Sequence, residues 1–256
     1  STYDHHTDHV SGVCYSGWRR PILNMRPKHR TAAIDCPWQF AADLSIVAWL
    51  DQLGTDYEII TDHDVHSEGA ALLDEYNVVL TGTHPEYYSA EMLTATEDFM
   101  ADGGRFMYMG GNGLYWVTSF VGDGDVIEVR KLEGGTRAWQ ARPGEYHHMA
   151  DGSRGGIWKN RGRGPHKVTG VGFASEGMDQ SGWFRRTPGS REPEVSWIFD
   201  GVDGDCFGDH GLAHGGAAGI EIDRYDRRFG TPDRTRLLAS SEGHSDGYPL
   251  VVEELL

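Results

Sequence analysis

Residues 77–116 read NVVLTGTHPEYYSAEMLTATEDFMADGGRFMYMGGNGLYW. Val78, Val79 and Leu80 form a short apolar run of the kind a buried strand requires. Ser89 is a helix N-cap, and Met92, Leu93, Phe99 and Met100 recur at helical spacing behind it. Gly103 and Gly104 stop that helix, and residues 105–109 supply the next strand, ending at Gly110 and Gly111. Strand, helix, strand in this order and at this spacing predicts parallel strands with a crossover helix, an α/β architecture.

The pattern extends on both sides. Residues 39–53 place Phe40, Leu44, Val47, Ala48 and Leu50 on one helical face, closed by Gly54. Residues 57–61 read as a strand, residues 67–76 as a helix capped by Ser67, and residues 22–25 as a possible earlier strand. After Gly122 the style changes to short apolar runs punctuated by glycine. Strands are expected at 126–130, 168–173, 195–199 and 250–253, with no long helix. The expectation is a parallel-sheet core over 15–121 and a Gly-rich, β-rich extension over 122–256 that completes the same domain.

The chain has 256 residues, 35 of them glycine, and a net charge of −16 from 23 Lys+Arg against 39 Asp+Glu. So acidic a chain is poorly suited to neutralising phosphates, which excludes nucleic acid as an expected partner. No run of about 18 apolar residues is present, so no membrane span is expected. Eight Trp and 38% hydrophobic residues argue for a packed core rather than disorder. Cys14, Cys36 and Cys206 are few and widely spaced, which fits a reduced, cytoplasmic setting without structural disulfides. A polar start without Met and an abrupt apolar end suggest a segment of something longer.

In an open parallel sheet, ligands bind beyond the carboxyl ends of the strands. Three loops qualify: Asp62-His63-Asp64, residues 82–88 and residues 110–116. In the second, His84 and Glu86 flank Pro85, a stiffened pair of borderline and hard ligands suited to a first-row metal. Residues 1–9 crowd Tyr3, Asp4, Asp8, His5, His6 and His9 together, a composition that reads either as metal-binding or as a mobile terminus. Glu145, His147 and His148 form a further polar cluster, and residues 154–167 a basic island. The strand and helix order resembles the class I glutamine-amidotransferase-like fold. Yet no cysteine lies near the turn at 110–113, where that fold carries its nucleophile. A Gly-x-Ser-x-Gly elbow is missing too. A hydrolase built on this chain therefore points to a metal as the source of activated water.

Thr83-His84-Pro85-Glu86-Tyr87, Gly110 through Trp116, and Glu128-Val129-Arg130-Lys131, followed by Gly155-Gly156-Ile157-Trp158, Gly162 and Gly170 through Phe173, occur in succession along the chain. This succession resembles the C-terminal part of the large (beta) subunit of the N,N-dimethylformamidase family. The resemblance implies a glutamine-amidotransferase-like domain that hydrolyses small N-substituted formamides, taking N,N-dimethylformamide to dimethylamine and formate. It implies a mononuclear ferric iron held by two Tyr phenolates and one Glu carboxylate. Carried over, Glu86 is the carboxylate and Tyr3 one phenolate. The second phenolate would lie upstream, with Tyr87, Tyr88 and Tyr115 as alternatives within the chain. His84 would be a neighbouring catalytic group. Asn112, Lys131 and Glu221 would line the substrate pocket. Asn112 and Lys131 would face developing negative charge, and Glu221 would activate water or move a proton. A small partner subunit and a homo-oligomer are also implied. Two rival readings stand beside this one: a non-catalytic binding or assembly domain, and a carbohydrate-acting or carbohydrate-binding protein.

Overall fold

The computed structural model describes residues 2–3, 12–32, 34–132 and 139–242. Its regular elements in chain order are β1 (Tyr15–Gly17), α1 (Phe40–Leu53), α2 (Asp62–Glu68), α3 (Ala70–Leu73), β2 (Val78–Leu80), β3 (Tyr87–Tyr88), α4 (Ala90–Ala101), β4 (Arg105–Met107), β5 (Trp116–Val117), β6 (Ser119–Val121) and β7 (Val126–Glu128). There follow α5 (His166–Thr169), β8 (Gly172–Arg186), β9 (Cys206–Phe207), β10 (Ala218–Arg224) and β11 (Ala239–Glu242). The architecture is α/β with mixed sheets. Among the described residues no helix is long and apolar enough to cross a membrane.

Local chemistry accounts for most helix boundaries. Gly54 closes α1 in the left-handed conformation, with φ 64°, which costs glycine little. Ser89 Oγ accepts from the Met92 amide at 3.2 Å and so caps α4. The helix over 62–73 begins earlier than expected. Thr61 and Asp64 form a reciprocal capping box at its start, so Ser67 lies inside α2 and Asp62, His63 and Asp64 are helical rather than a strand-end loop. The same box ends any strand at 57–61: Ile60 turns into the core beside Leu73, Ala95 and Phe99, but among the described residues no neighbouring strand pairs with the segment.

Three other expected strands differ. Residues 22–25 close a turn, Met25 N to Ile22 O at 3.1 Å. Residues 196–199 form a 3-10 turn after Pro193, a residue that favours turns and lacks a ladder donor. Residues 166–169 are helical until Gly170, and the strand begins only at Gly172. The expected strand at 250–253 lies outside the described residues.

The single parallel sheet anticipated from the sequence is replaced by two parallel pairs, β2 with β4 and β3 with β5, and two antiparallel sheets. One antiparallel sheet runs β1–β7–β6, joining residues on both sides of position 121. The other is organised on the long β8, whose first half pairs with β10 and whose second half pairs with β9 and β11. The core lies where α4 covers these pieces: Met92 and Leu93 pack with Tyr88, Leu114, Val117 and Trp158. Full burial of each such side chain is worth roughly 1.5–3 kcal/mol. The β3–β5 register, Tyr87 beside Trp116, brings the end of the 82–86 loop against the end of the 110–115 turn.

Candidate functional site

Glu86 is the centre of a buried polar cluster. The amides of Tyr115 and Trp116 both donate to its backbone carbonyl at 3.0 Å, and Leu114 N donates to Pro85 O at 2.8 Å. The main chain that carries the carboxylate is therefore fixed against the 114–116 segment. Its Oε1 accepts from Tyr3 Oη at 2.5 Å and from the Trp116 indole Nε1 at 2.8 Å. Its Oε2 lies 3.3 Å from His84 Nε2. Pro85 separates the two residues and sets this face-to-face arrangement. His84 Nδ1 stands 3.1 Å from both the Gly111 carbonyl and Glu221 Oε2, and only the carbonyl meets it in hydrogen-bond geometry.

These contacts decide the charges. Burial pulls the His84 imidazole down, but hydrogen bonding to Glu86 and the charges of Glu221 and Glu86 outweigh it and push it up to about 9. Burial also opposes ionisation of Glu86, yet His84, Tyr3 and Lys131 together hold it below the ordinary carboxylate value. Burial raises the Tyr3 phenol, and the adjacent Glu86 charge adds to the shift. With a neutral phenol and an ionised carboxylate, the Tyr3 proton sits between two hard oxygens.

Three further residues close the cluster from other elements. Lys131 follows β7 and is wholly buried. Its Nζ lies 2.8 Å from the Tyr3 ring centroid and 4.9 Å from that of Trp116. Burial lowers it to about 7 against the pull of Glu86. Asn112 occupies a left-handed position, φ 52°, between Gly111 and Gly113. Its backbone N–H donates to Asp223 Oδ1 at 2.8 Å and its Nδ2 to Glu221 Oε1 at 2.9 Å. Glu221, on β10, is pushed up to about 8, first by burial and further by the charges of Glu86 and Glu176, against His84 and Asn112. Lys131 Nζ, Asn112 Oδ1 and Glu221 Oε2 are buried without a hydrogen-bond partner. Leaving such groups unpaired costs free energy. The Asn112 amide nitrogen anticipated as a donor to substrate is engaged by Glu221, and its carbonyl oxygen is the atom left open.

All six expected site residues, Tyr3, His84, Glu86, Asn112, Lys131 and Glu221, thus meet in one cluster. Of the alternative phenols, Tyr87 is closest: its hydroxyl is 3.0 Å from Thr2 Oγ1, beside Tyr3. Tyr88 is in the α4 core, and Tyr115 packs edge-on to Trp116 and Phe173. Asp4, His5, His6, Asp8 and His9 lie outside the described residues. The cluster at 145–148 does not join the site. His148 is buried against Ser119 Oγ at 2.5 Å, and that hydroxyl donates to Asp151 at 2.7 Å.

Sequence reasoning missed Trp116, Tyr108, Asp223 and Glu176. Tyr108 donates to Asp223 Oδ2 at 2.8 Å and accepts from Gly113 N at 2.7 Å, which locks the Asn112 turn. Glu176 sits directly opposite Glu221 in the β8–β10 ladder. The alternation of Gly219 to Asp223 signals Glu221 and Asp223 on one face, but a partner on another strand has no local signature.

Among the described residues, no group of three or more His, Cys, Asp or Glu side chains is arranged to hold a metal ion. The oxygens of Tyr3 and Glu86 are nevertheless hard donors, both anionic once the phenol gives up its proton, and of the type that suits a hard cation such as ferric iron. Lys131, Asn112 and Glu221 each carry a buried polar atom that a polar ligand could satisfy. The residues fit the metal that the resemblance implies.

The chain is 49% identical over 256 residues to the N,N-dimethylformamidase beta subunit of Paracoccus aminophilus and 47% identical to that of Alcaligenes sp. Each match covers 99% of this chain and 33% of the relative, so the chain spans about a third of the length of these relatives. A family model matches residues 1–254. The chain belongs to the family described as N,N-dimethylformamidase beta subunit-like, C-terminal.

Proposed function

We propose that this chain forms the catalytic site of an iron-dependent amide hydrolase. It would convert small N-substituted formamides, N,N-dimethylformamide among them, to an amine and formate. The observation that carries the reading is the buried cluster itself. Two hard oxygens, on Tyr3 and Glu86, lie 2.5 Å apart, and three residues of the same cluster carry buried polar atoms without hydrogen-bond partners. The family membership and the names of the relatives support the same reaction.

Tyr3 and Glu86 would hold a mononuclear ferric ion, with a second phenolate from chain preceding Tyr3. When bound, the iron supplies Lewis acidity for polarising the formyl oxygen or acidifying a water. The chain's own residues would do the rest. Lys131 Nζ would face the charge that develops on the carbonyl oxygen. Glu221, lifted to about 8 by burial, carries a proton near neutrality and would deliver it to the departing amine nitrogen as the C–N bond breaks. The attacking water leaves one hydrogen in the hydroxyl of formic acid and returns the other to Glu221, so amide plus water gives amine plus formic acid, which ionises to formate in solvent. His84 would anchor the Glu86 carboxylate by charge and would stabilise the Glu221 carboxylate once Glu221 has given up its proton. The wider scaffold would be the glutamine-amidotransferase-like domain without its cysteine nucleophile, working beside a smaller partner subunit in an oligomer.

Full-length subunit purified with its partner should contain iron and show a visible tyrosinate absorption. Tyr3→Phe and Glu86→Ala should each lose that absorption together with formamide hydrolysis. A colourless, metal-free wild type that hydrolyses formamides at full rate refutes the reading.

A further inference from the structure

Trp116 stands where the two candidate ligands meet. It opens β5 and is wholly buried. Its indole N–H lies 2.8 Å from Glu86 Oε1 and 3.3 Å from Tyr3 Oη. Its backbone N–H donates to the Glu86 carbonyl at 3.0 Å. One residue therefore holds Glu86 at both main chain and carboxylate.

The ring itself is packed on several sides. Tyr115 packs on it edge-on with centroids 4.9 Å apart, Lys131 Nζ stands 4.9 Å from its centroid, and Val129, Ile157 and Phe173 belong to the same buried cluster. Packing accounts for a large apolar side chain here, but not for the direction of the N–H. An indole N–H is a donor only. It has no lone pair to coordinate a cation and no charge to titrate near neutral pH. What it can do is orient oxygens that do coordinate, as the outer partners of metal ligands do.

We propose that Trp116 is the positioning residue of the metal centre. Its indole N–H bonds Glu86 Oε1, touches Tyr3 Oη, and so fixes which carboxylate oxygen faces the phenol. This rests on the iron reading above and adds to it a residue outside the ligand set.

The test uses the full-length subunit with its partner. It compares wild type, Trp116→Phe, and a protein carrying 3-benzothienylalanine at position 116, which keeps the indole shape and replaces only the N–H by sulfur. Iron content after a fixed chelator challenge, the energy of the visible absorption, kcat and KM are measured. Loss of the donor should lower iron retention or kcat by ~10–100-fold and move the absorption band, with KM little changed. If Trp116→Phe does not fold, the isostere alone decides. An iron-loaded wild type alongside an isostere with unchanged iron retention and an unmoved band overturns this proposal alone. A wild type that binds no iron overturns it together with the iron reading.

Discussion

Lys131 puts the cost of the site on a single side chain. Its amine is buried with no hydrogen-bond partner, over the faces of Tyr3 and Trp116. Residual cation–π attraction and the charge of Glu86 offset part of the desolvation. A methionine would fill nearly the same stem volume without that burden. Lys131→Met should therefore leave the denaturation midpoint unchanged or raise it, while lowering kcat by roughly 10²–10³-fold, as loss of one donor to a developing oxyanion does. A variant that loses stability and keeps its kcat would mean that the lysine holds the fold rather than the reaction. The motif around His84 and Glu86 made this neighbourhood legible from local sequence. Trp116 was not legible: its N–H matters only because Glu86, thirty positions earlier, lies under it.

At the level of elements, the site is a meeting of two turns and a strand. Residues 82–86 and 110–115 are brought together by the β3–β5 pairing, and β10 closes over them. Glycine permits the closure. A Cβ on Gly111 would lie 2.6 Å from the Glu221 backbone carbonyl, and one on Gly110 would collide with the carbonyl of Thr83. Neither obstacle is a flexible side chain, so the backbone would have to move. Gly111→Ala should cost about 1–3 kcal/mol, the usual range for overpacking. It should also lower kcat disproportionately, because the shift separates Asn112 from Glu221. Chemical denaturation and steady-state kinetics on one preparation check both, and a wild-type kcat would show that the turn does not set the geometry. Helix α4 was readable in advance from its Ser89 cap and Gly103–Gly104 stop, because those signals are local. The strand expected at 57–61 failed for the complementary reason: a strand exists only with a neighbour, and none among the described residues pairs with it.

Across the whole molecule, the buried site ties stability to pH. His84 is raised from 6.5 to about 9 and Glu221 from 4.5 to about 8. In those intervals the folded state holds protons that the unfolded chain releases, so both contributions weaken as pH rises. Glu221's is full below about 4.5 and gone above about 8; His84's is full below about 6.5 and gone above about 9. Lys131, lowered from 10.5 to about 7, has the opposite sign: between those values the unfolded chain binds the extra proton and stability rises with pH. Metal-free protein should lose stability from pH 5 to about 8, and the slope should ease above about 8, where Glu221 no longer contributes and Lys131 offsets His84. Glu221→Gln should flatten the lower part of the curve in thermal or urea unfolding. A variant curve parallel to wild type would show that Glu221 does not carry that proton in the fold.

The sequence by itself determined the α/β character, the helices with local caps, the glycine-marked turns and the neighbourhood of His84 and Glu86. These depend on spacing, capping and backbone freedom, which act within a few residues. The tertiary structure alone decided that the strands divide into two parallel pairs and two antiparallel sheets. It also decided that Asn112 turns its amide nitrogen to Glu221, and that Trp116, Tyr108, Asp223 and Glu176 stand behind the expected residues. Those outcomes depend on hydrogen bonds and charges between groups up to a hundred or more positions apart, such as Tyr108 with Asp223. Their energy exists only once folding has removed the water between them.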